Sequence, residues 1–305
     1  MTGKPSQENV ISLKTRKPYR VGREEGVTTR QRPPARIISI TSGKGGVGKT
    51  NIVANLGYQL SRAGQRVLIL DADLGLGNLD ILIGLAPRYN LSHVLSGEKR
   101  IREIIVEGPG QVRILPAASG IQELTQLSRD QKMGMLYELD QLLDSVDILL
   151  IDSAAGISST VMDFSVAAQE IMVVVTPEPT SITDAYALMK VLSTRYGEKT
   201  CRLIVNQVSS EQEGREIFRQ LNLVTRKFLS ISMEYFGCIL QDANLMRCVR
   251  QQRIISQAQP DSPAAHGFRN LARRTRALPA VKVLEGAPHL FWGHIFQDGV
   301  MFHKS

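Results

Sequence analysis

The chain has 305 residues, of which 43% are hydrophobic and 22% are charged, and its formal net charge is +8 at pH 7. This apolar content is sufficient for a buried core. The chain has no apolar run of about 18 residues and begins with a polar, basic stretch, so neither a membrane-spanning helix nor a signal peptide is predicted. Its 3 cysteines include no CxxC pair, which argues against a disulfide framework and against a four-thiolate metal site.

The first 35 residues differ in charge from the rest of the chain. They contain eight Lys or Arg and three Glu, so they account for +5 of the net charge of +8. A rigid, turn-prone Arg32-Pro33-Pro34 junction ends this stretch. We therefore predict a flexible basic arm at 1–35, a folded domain at 36–284 and a separate C-terminal segment at 285–305.

Seven short runs after the arm are continuously apolar, which is typical of strands covered by helices on both faces. They lie at 37–40, 67–70, 112–115, 148–151, 171–175, 202–205 and 236–240. Helical patterns separate them, for example at 51–63, 130–143 and 183–192. The predicted fold class is α/β: a single domain with a doubly wound, mostly parallel sheet flanked by helices. Ligands of such sheets bind at the carboxyl ends of the strands.

A phosphate-binding loop directly follows the first predicted strand. Residues 43–50 are GKGGVGKT, which satisfies the pattern G-x-x-x-x-G-K-[ST]. In such loops backbone N–H groups surround the phosphates, Lys49 is predicted to reach the β- and γ-phosphates, and the Thr50 hydroxyl is predicted to bind Mg²⁺. The predicted nucleotide-binding residues of this loop are Gly43, Lys44, Gly45, Gly46, Val47, Gly48, Lys49, Thr50 and Asn51.

A second lysine in the loop, Lys44, narrows the family. TSGKGGVGKT resembles the KGGxGK[ST] signature of the MinD and ParA family of deviant Walker A ATPases. The resemblance implies a nucleotide-sandwich homodimer in which Lys44 contacts the partner's phosphates, and a slow ATPase whose activity requires dimerisation. ATP and Mg²⁺ are the implied substrate and cofactor, and Lys44 joins Lys49 as a catalytic candidate.

Three carboxylates follow predicted strands. Asp71 and Asp73 come directly after 67–70, where the sequence resembles switch I of this family, and Asp152 follows 148–151 in a Walker B-like context ending at Gly156. By this match Asp73 orients the attacking water, and Asp71 supports the switch and the metal shell. Asp152 is predicted to hold Mg²⁺ through water, since hard cations prefer oxygen ligands. Gly156 belongs to the predicted switch II and lets the backbone approach the γ-phosphate.

Two residues near the last predicted strands are candidates for the base pocket. Asn206 follows 202–205, where the family places an Asn on the adenine edge, and an amide both donates and accepts toward adenine. ATP is therefore favoured over GTP. Asp242 is a weaker candidate, since relatives commonly have a proline before the acidic residue and this chain has Gln241.

Further stretches are similar to one branch of the family. LPAASGIQ (115–122), DSAAGISS (152–159) and EPTSITDAYALMK (178–190) resemble FlhG, also called FleN, the MinD-like ATPases that control flagellar number and placement. The resemblance implies an FlhF-like GTPase as partner, and in some lineages a flagellar master transcription activator or a switch-complex protein. The DQAxxLR-type segment of some relatives is absent from MTGKPSQENVISLK.

Two other functions in the same family remain open from the sequence. A ParA-type partition ATPase binds DNA non-specifically through a basic surface, whereas the part of this chain beyond residue 35 is nearly neutral, so direct DNA binding is not expected. A MinD-type septum-site regulator shares every nucleotide motif. Adjacent flagellar, partition or septum genes would discriminate among the three functions.

The C-terminal stretch PHLFWGHIFQDGVMFHKS is rich in aromatic residues. If it is helical, Phe291, Trp292, Ile295 and Phe296 form one apolar stripe. The stripe either packs permanently on the domain or binds lipid, and FlhG and MinD relatives end in a membrane-targeting helix. We therefore expect a cytoplasmic protein that associates reversibly with an anionic membrane surface, the inner face of the cytoplasmic membrane, at the cell pole.

Overall fold

The computed structural model describes residues 33–73, 77–116 and 129–280. The predicted C-terminal stripe, most of the basic arm and residues 117–122 of LPAASGIQ lie outside these ranges. Within them, no helix has both the length and the apolar content needed to cross a membrane.

The described residues form an eight-stranded sheet with the strand order β3-β4-β2-β5-β1-β6-β7-β8. The strands are β1 (Arg36–Ser42), β2 (Val67–Ala72), β3 (Val106–Glu107), β4 (Arg113–Pro116), β5 (Ile148–Ala155), β6 (Glu170–Val175), β7 (Thr200–Val208) and β8 (Ser232–Leu240). Only the β3–β4 pair is antiparallel among these strands. The predicted doubly wound, mostly parallel sheet is therefore confirmed, with β3 as an additional short edge strand.

Helices cover both faces of the sheet. They are α1 (Lys49–Arg62), α2 (Leu79–Leu82), α3 (Leu91–Leu95), α4 (Ile101–Ile104), α5 (Arg129–Asp144), α6 (Ser159–Ala167), α7 (Pro179–Arg195), α8 (Glu211–Phe228), α9 (Ala243–Arg250), α10 (Ile255–Ala258) and α11 (Pro263–Arg276), with a 3₁₀ turn at Pro109–Gln111. Helix α7 begins four residues before the predicted position 183, because Pro179 occupies its first turn, where the missing N–H costs nothing.

The core lies on both sides of the sheet. On one side α1 and α11 pack against alternate residues of the central strands, such as Ile38 and Ile40. On the other side, Ile37 of β1 belongs to a second apolar cluster that includes Leu68 and Leu149. Because both faces of the sheet are buried, successive side chains of a strand are all shielded from solvent. The strands are therefore continuously apolar rather than alternating.

The chain order places four strand ends at one edge of the sheet. β1, β2, β5 and β7 run parallel and are near neighbours, so the loops that follow them meet at their carboxyl ends. Asp71 of β2 is in register with Asp152 of β5. The sequence-predicted carboxylates and the phosphate loop are thus adjacent.

Candidate active site

The phosphate loop connects β1 to α1 through left-handed backbone. Gly46 and Gly48 have φ values of 77° and 94°, which L side chains adopt only with strain. Gly48 is the N-cap of α1, and no side chain caps that helix end. The first N–H groups of α1 therefore remain available to an anion, and the helix dipole favours negative charge there.

Lys49 is the buried cation of the loop, with 8% of its surface exposed. Its Nζ donates to Ser42 Oγ at 2.8 Å, and Ser42 Oγ in turn donates to the Lys44 carbonyl oxygen at 2.7 Å. Burial lowers the pKa of Lys49, and the carboxylates of Asp152 and Asp73 act in the opposite direction. Lys49 is thus a pre-positioned positive charge beside two carboxylates.

Asp152 is the most deeply buried of the three carboxylates, with 2% of its surface exposed. Its Oδ1 has no hydrogen-bond partner among the residues that the structure describes. Burial, and to a smaller extent the charge of Asp71, raises the pKa of Asp152 to about 7. A hydrogen bond with Thr50 and the charge of Lys49 act in the opposite direction. A buried carboxyl oxygen without a partner is costly unless it binds a cation or a proton.

These residues fit a bound Mg²⁺. Thr50 and Asp152 provide oxygen donors next to the phosphate loop, and Asp152 Oδ1 has an open coordination position. No group of three His, Cys, Asp or Glu within the described ranges is placed to hold a metal alone. Mg²⁺ commonly takes one or two protein ligands and completes its shell with water and substrate phosphates, so the two oxygen donors suffice.

Asp71 organises the segment that leads to Asp73. Its Oδ1 accepts from the Asp73 backbone N–H at 3.2 Å, and burial raises its pKa to about 6 against the effect of backbone hydrogen bonds from Asp73 and Leu79. A Cβ at Gly77 would lie 2.9 Å from Asp71 Oδ2, so this carboxylate needs a glycine there. Asp71 therefore holds both ends of the predicted switch I, of which residues 74–76 lie outside the described ranges.

The segment after Asp152 is attached to the end of β1. Gly156 has a φ of 100°, and its N–H donates to the Ser42 carbonyl oxygen at 2.9 Å. Ser42 thus contacts both lysines of the loop and the predicted switch II. An approach of the Gly156 N–H to a γ-phosphate requires this hydrogen bond to open.

Asn206 and Asp242 are both engaged with backbone groups. Asn206 Nδ2 donates to the Val47 carbonyl oxygen at 2.7 Å, and its Oδ1 accepts from Gln207 N at 2.9 Å. One amide hydrogen and one lone pair remain for a base, so the adenine contact stays a prediction. Asp242 caps α9, accepting from Asn244 N at 2.9 Å, and also accepts from Ala264 N at 3.2 Å. These contacts give Asp242 a structural role, and its contact with the base stays a prediction.

Lys44 points to the start of α7 within the same chain. Its Nζ donates to Thr180 Oγ1 at 2.9 Å and pairs with the Glu178 carboxylate. The ion pair is partly exposed, with 36% and 61% of the two side chains accessible, so it contributes at most about 1 kcal/mol. A contact this weak can be exchanged for a phosphate of a partner subunit, so it is compatible with the trans role predicted for Lys44.

Lys44→Ala is expected to keep most of the nucleotide affinity and to lose dimerisation and turnover. The reason is that Lys49 supplies the buried positive charge of the loop. The side chain of Lys44 is partly exposed and contacts Thr180 of α7 instead. Titration with a fluorescent nucleotide, beside size-exclusion chromatography with ATP, measures both properties. An equal loss of nucleotide affinity in Lys44→Ala and Lys49→Ala would contradict a trans role.

Sequence patterns do not identify the residues that support the loop from elsewhere in the fold. Ser42 is only the second residue of the stretch TSGKGGVGKT, and Glu178 and Thr180 belong to the branch-specific stretch EPTSITDAYALMK. The second turn of α7 also packs on the loop, because a Cβ at Gly43 would lie 2.1 Å from the Asp184 carbonyl oxygen. The glycine at position 43 was the signal for this packing. The sequence does not show what packs against it, because Asp184 is about 140 residues away.

Comparison with known proteins agrees with this geometry. The family model described as "AAA domain" matches residues 35–203. The chain is 44% identical to the antiactivator FleN of Pseudomonas aeruginosa, over 81% of this chain and 88% of that protein. It is 37% identical to the flagellum site-determining protein YlxH of Helicobacter pylori, over 74% of this chain and 76% of that protein. The septum site-determining protein MinD of Pyrococcus horikoshii, solved with Mg-ADP, superposes with a TM-score of 0.63 at 25% identity, over 82% of this chain and all of that one.

Proposed function

Because the chain belongs to the MinD/ParA family of P-loop ATPases, in its FlhG (FleN) branch, we propose that it is an ATP-dependent switch that regulates flagellar number and placement. The protein is an ATPase. The observation that carries the proposal is the arrangement of Lys44, Lys49, Asp71 and Asp152 around one phosphate loop, in a chain whose similar relatives are named for flagellar control.

The residues of this site suit hydrolysis by positioning and charge. The loop amides and Lys49 bind the β- and γ-phosphates of ATP, and Thr50 and Asp152 would hold the metal. Bound Mg²⁺ would neutralise charge that develops on the phosphates. Asp73 would orient the attacking water. No strong base is present among these groups, so slow turnover is expected, which suits a switch.

The switch acts through ATP-dependent homodimerisation. Lys44 leaves Glu178 and Thr180 and contacts the partner's phosphates, so that hydrolysis requires two chains. The dimer then presents a surface to an FlhF-like GTPase, a flagellar transcription activator or a switch-complex protein. The names of two relatives, an antiactivator and a flagellum site-determining protein, support partners of this kind.

Asp73→Ala tests the switch. This variant is expected to bind ATP and Mg²⁺ but to accumulate as a dimer, because the carboxylate that orients water is gone while the phosphate cradle remains. Light scattering after size-exclusion chromatography with ATP would show the dimer, and cells expressing the variant should carry fewer flagella. Unchanged ATP turnover would exclude Asp73 from catalysis, and unchanged flagellation despite a stable dimer would favour a partition or septum function.

We also propose that the dimer is recruited from the cytoplasm to the inner face of the cytoplasmic membrane, at the cell pole. The apolar residues Phe291, Trp292, Ile295 and Phe296 support this proposal. Burying one large side chain contributes about 1.5–3 kcal/mol, and ordering the segment offsets part of that, so one copy binds lipid marginally. Two copies on one dimer bind firmly.

Sedimentation with anionic vesicles tests this recruitment. More of the full chain should sediment with ATP than with ADP, because only the ATP dimer carries two copies of the segment. A truncation after Leu284 should reduce the difference. Binding that depends on neither the nucleotide nor residues 285–305 would exclude recruitment by this segment.

A further inference from the structure

Helix α11 has two chemically different faces. One face is buried against α1 and β8 through residues such as Ala264, Phe268 and Leu271. The opposite face carries Arg269, Arg273 and Arg276, all three exposed. Their spacing of four and three residues places them in one row along the helix. We refer to these three residues as the arginine row.

Among the described residues, the guanidinium groups of the arginine row are not paired with carboxylates. Helix α11 contains no Asp or Glu, and no residue of the row forms an ion pair within the described part of the chain. Helix α8 is different: its Arg215 and Arg219 pair with glutamates of the same helix. Basic residues in the last turn of a helix stabilise its dipole, but Arg269 lies about two turns before the end of α11. The row therefore concentrates positive charge on one surface.

The neighbouring arginine, Arg274, serves a different purpose. Its Nη1 donates to the carbonyl oxygens of Tyr235 and Phe236 at 3.1 and 3.0 Å, so it caps the outer edge of β8. Arg273, one residue earlier, is exposed and makes no side-chain hydrogen bond that the structure records. Arg269 keeps one contact, to the Pro260 carbonyl oxygen at 2.8 Å, at an exposed position. The guanidinium group of Arg273 is thus free to bind a ligand in solvent, whereas that of Arg274 is bound to the backbone of β8.

We propose that the arginine row is an electrostatic docking surface for anionic phospholipid. The row is straight and about 10 Å long from Arg269 to Arg276, so all three guanidinium groups can meet one flat surface of headgroups. Helix α11 also leads directly into the chain that carries Phe291, Trp292, Ile295 and Phe296. A weakly binding apolar segment gains firm attachment from a second, basic contact in the same chain.

This inference rests on the proposed membrane recruitment and adds a second contact to it. The basic contact lies in the folded domain, so it persists when residues 285–305 are removed. It depends on salt and on lipid charge, whereas apolar insertion depends on neither to the same degree. These properties separate the two contacts experimentally.

The test uses the full chain with ATP and vesicles of phosphatidylglycerol and phosphatidylcholine, beside vesicles of phosphatidylcholine alone. Arg273→Gln and Arg274→Gln each remove one positive charge from adjacent positions and are the matched pair. Each arginine near an anionic surface contributes about fivefold in affinity, so Arg273→Gln should weaken binding to the anionic vesicles about fivefold. Arg274→Gln should bind like the unmodified chain. Replacing all three residues of the row by Gln should weaken binding roughly a hundredfold.

Control measurements keep the variants comparable. All variants should hydrolyse ATP at the rate of the unmodified chain, because none of these arginines contacts the active site. Thermal unfolding checks that Arg274→Gln, which loses its contacts with β8, is still folded at the temperature of the assay. The same series with duplex DNA tests the other polyanion that could meet the row.

Each outcome decides the inference. A loss with Arg273→Gln and none with Arg274→Gln supports it. Equal losses would mean that overall charge acts, and binding of the triple variant like the unmodified chain would mean that the apolar segment acts alone; both overturn the inference but leave recruitment standing. No binding of the unmodified chain to either vesicle would overturn both. A selective loss of DNA binding, with lipid binding unchanged, would assign the row to nucleic acid instead.

Discussion

Lys49→Ala is expected to abolish ATP binding and hydrolysis. Lys49 is the buried cation beside Asp152 and Asp73, and it is held toward the loop by Ser42 Oγ at 2.8 Å. Removing it takes away the charge-assisted contact expected with the phosphates, and it also leaves Asp152 and Asp73 without the positive charge beside them. Loss of one such pre-positioned group costs about a hundredfold to a thousandfold in rate.

The measurements for Lys49→Ala are nucleotide affinity by fluorescence titration and phosphate release. Lys44→Ala is the matched control for nucleotide affinity, because it removes a lysine of the same loop that contacts Glu178 and Thr180 instead. Thermal unfolding without nucleotide shows whether the variant is folded. An affinity within a few-fold of the unmodified chain would contradict the assignment of Lys49 as the phosphate-binding lysine.

Gly43→Ala is expected to damage both stability and activity. A Cβ at this position would lie 2.1 Å from the carbonyl oxygen of Asp184, a backbone atom within α7. Because that atom cannot rotate away, the phosphate loop or α7 must shift by more than an ångström, and overpacking of this kind costs about 1–3 kcal/mol. The shift also displaces the loop on which Lys44 and Lys49 lie, so ATP turnover should fall with it.

Gly45→Ala is the control for Gly43→Ala. Nothing lies within 4 Å of a Cβ built at Gly45, and this residue is in the same loop. Its free energy of unfolding without nucleotide should change by less than about 0.5 kcal/mol. Thermal or denaturant unfolding measures both variants. Equal melting temperatures for the two would show that α7 does not pack on the loop as described.

Most of the architecture followed from the sequence. All seven predicted strands were found, since a continuously apolar run bounded by loops is a local pattern that survives in the fold. The strand β3 was missed because two residues, Val106 and Glu107, are too few to carry a pattern, and they pair only because β4 lies beside them. The start of α7 was misjudged by four residues because the proline was not recognised as its first turn.

The candidate site was predictable to the extent that it is contiguous. The phosphate loop is one unbroken motif. Asp71 and Asp152 lie in the carboxyl-terminal halves of two adjacent parallel strands and Asp73 directly follows the first of them, so the strand order brings the three carboxylates together. The environment of each group was not predictable. Burial in the folded chain raises the pKa of Asp152 to about 7. The hydrogen bond from Asn206 Nδ2 to the Val47 carbonyl oxygen likewise depends on how distant parts of the chain pack together.

The sequence by itself determined the fold class, the nucleotide loop and the family, because these depend on short-range periodicity and on contiguous residues. Only the tertiary structure decided which groups meet across the chain. Lys44 meets Glu178 across 134 residues of sequence, and Arg273 faces solvent while Arg274 reaches the edge of β8. The physical reason is that the packing of helices on the sheet determines these long-range contacts. Local sequence patterns do not contain information about that packing.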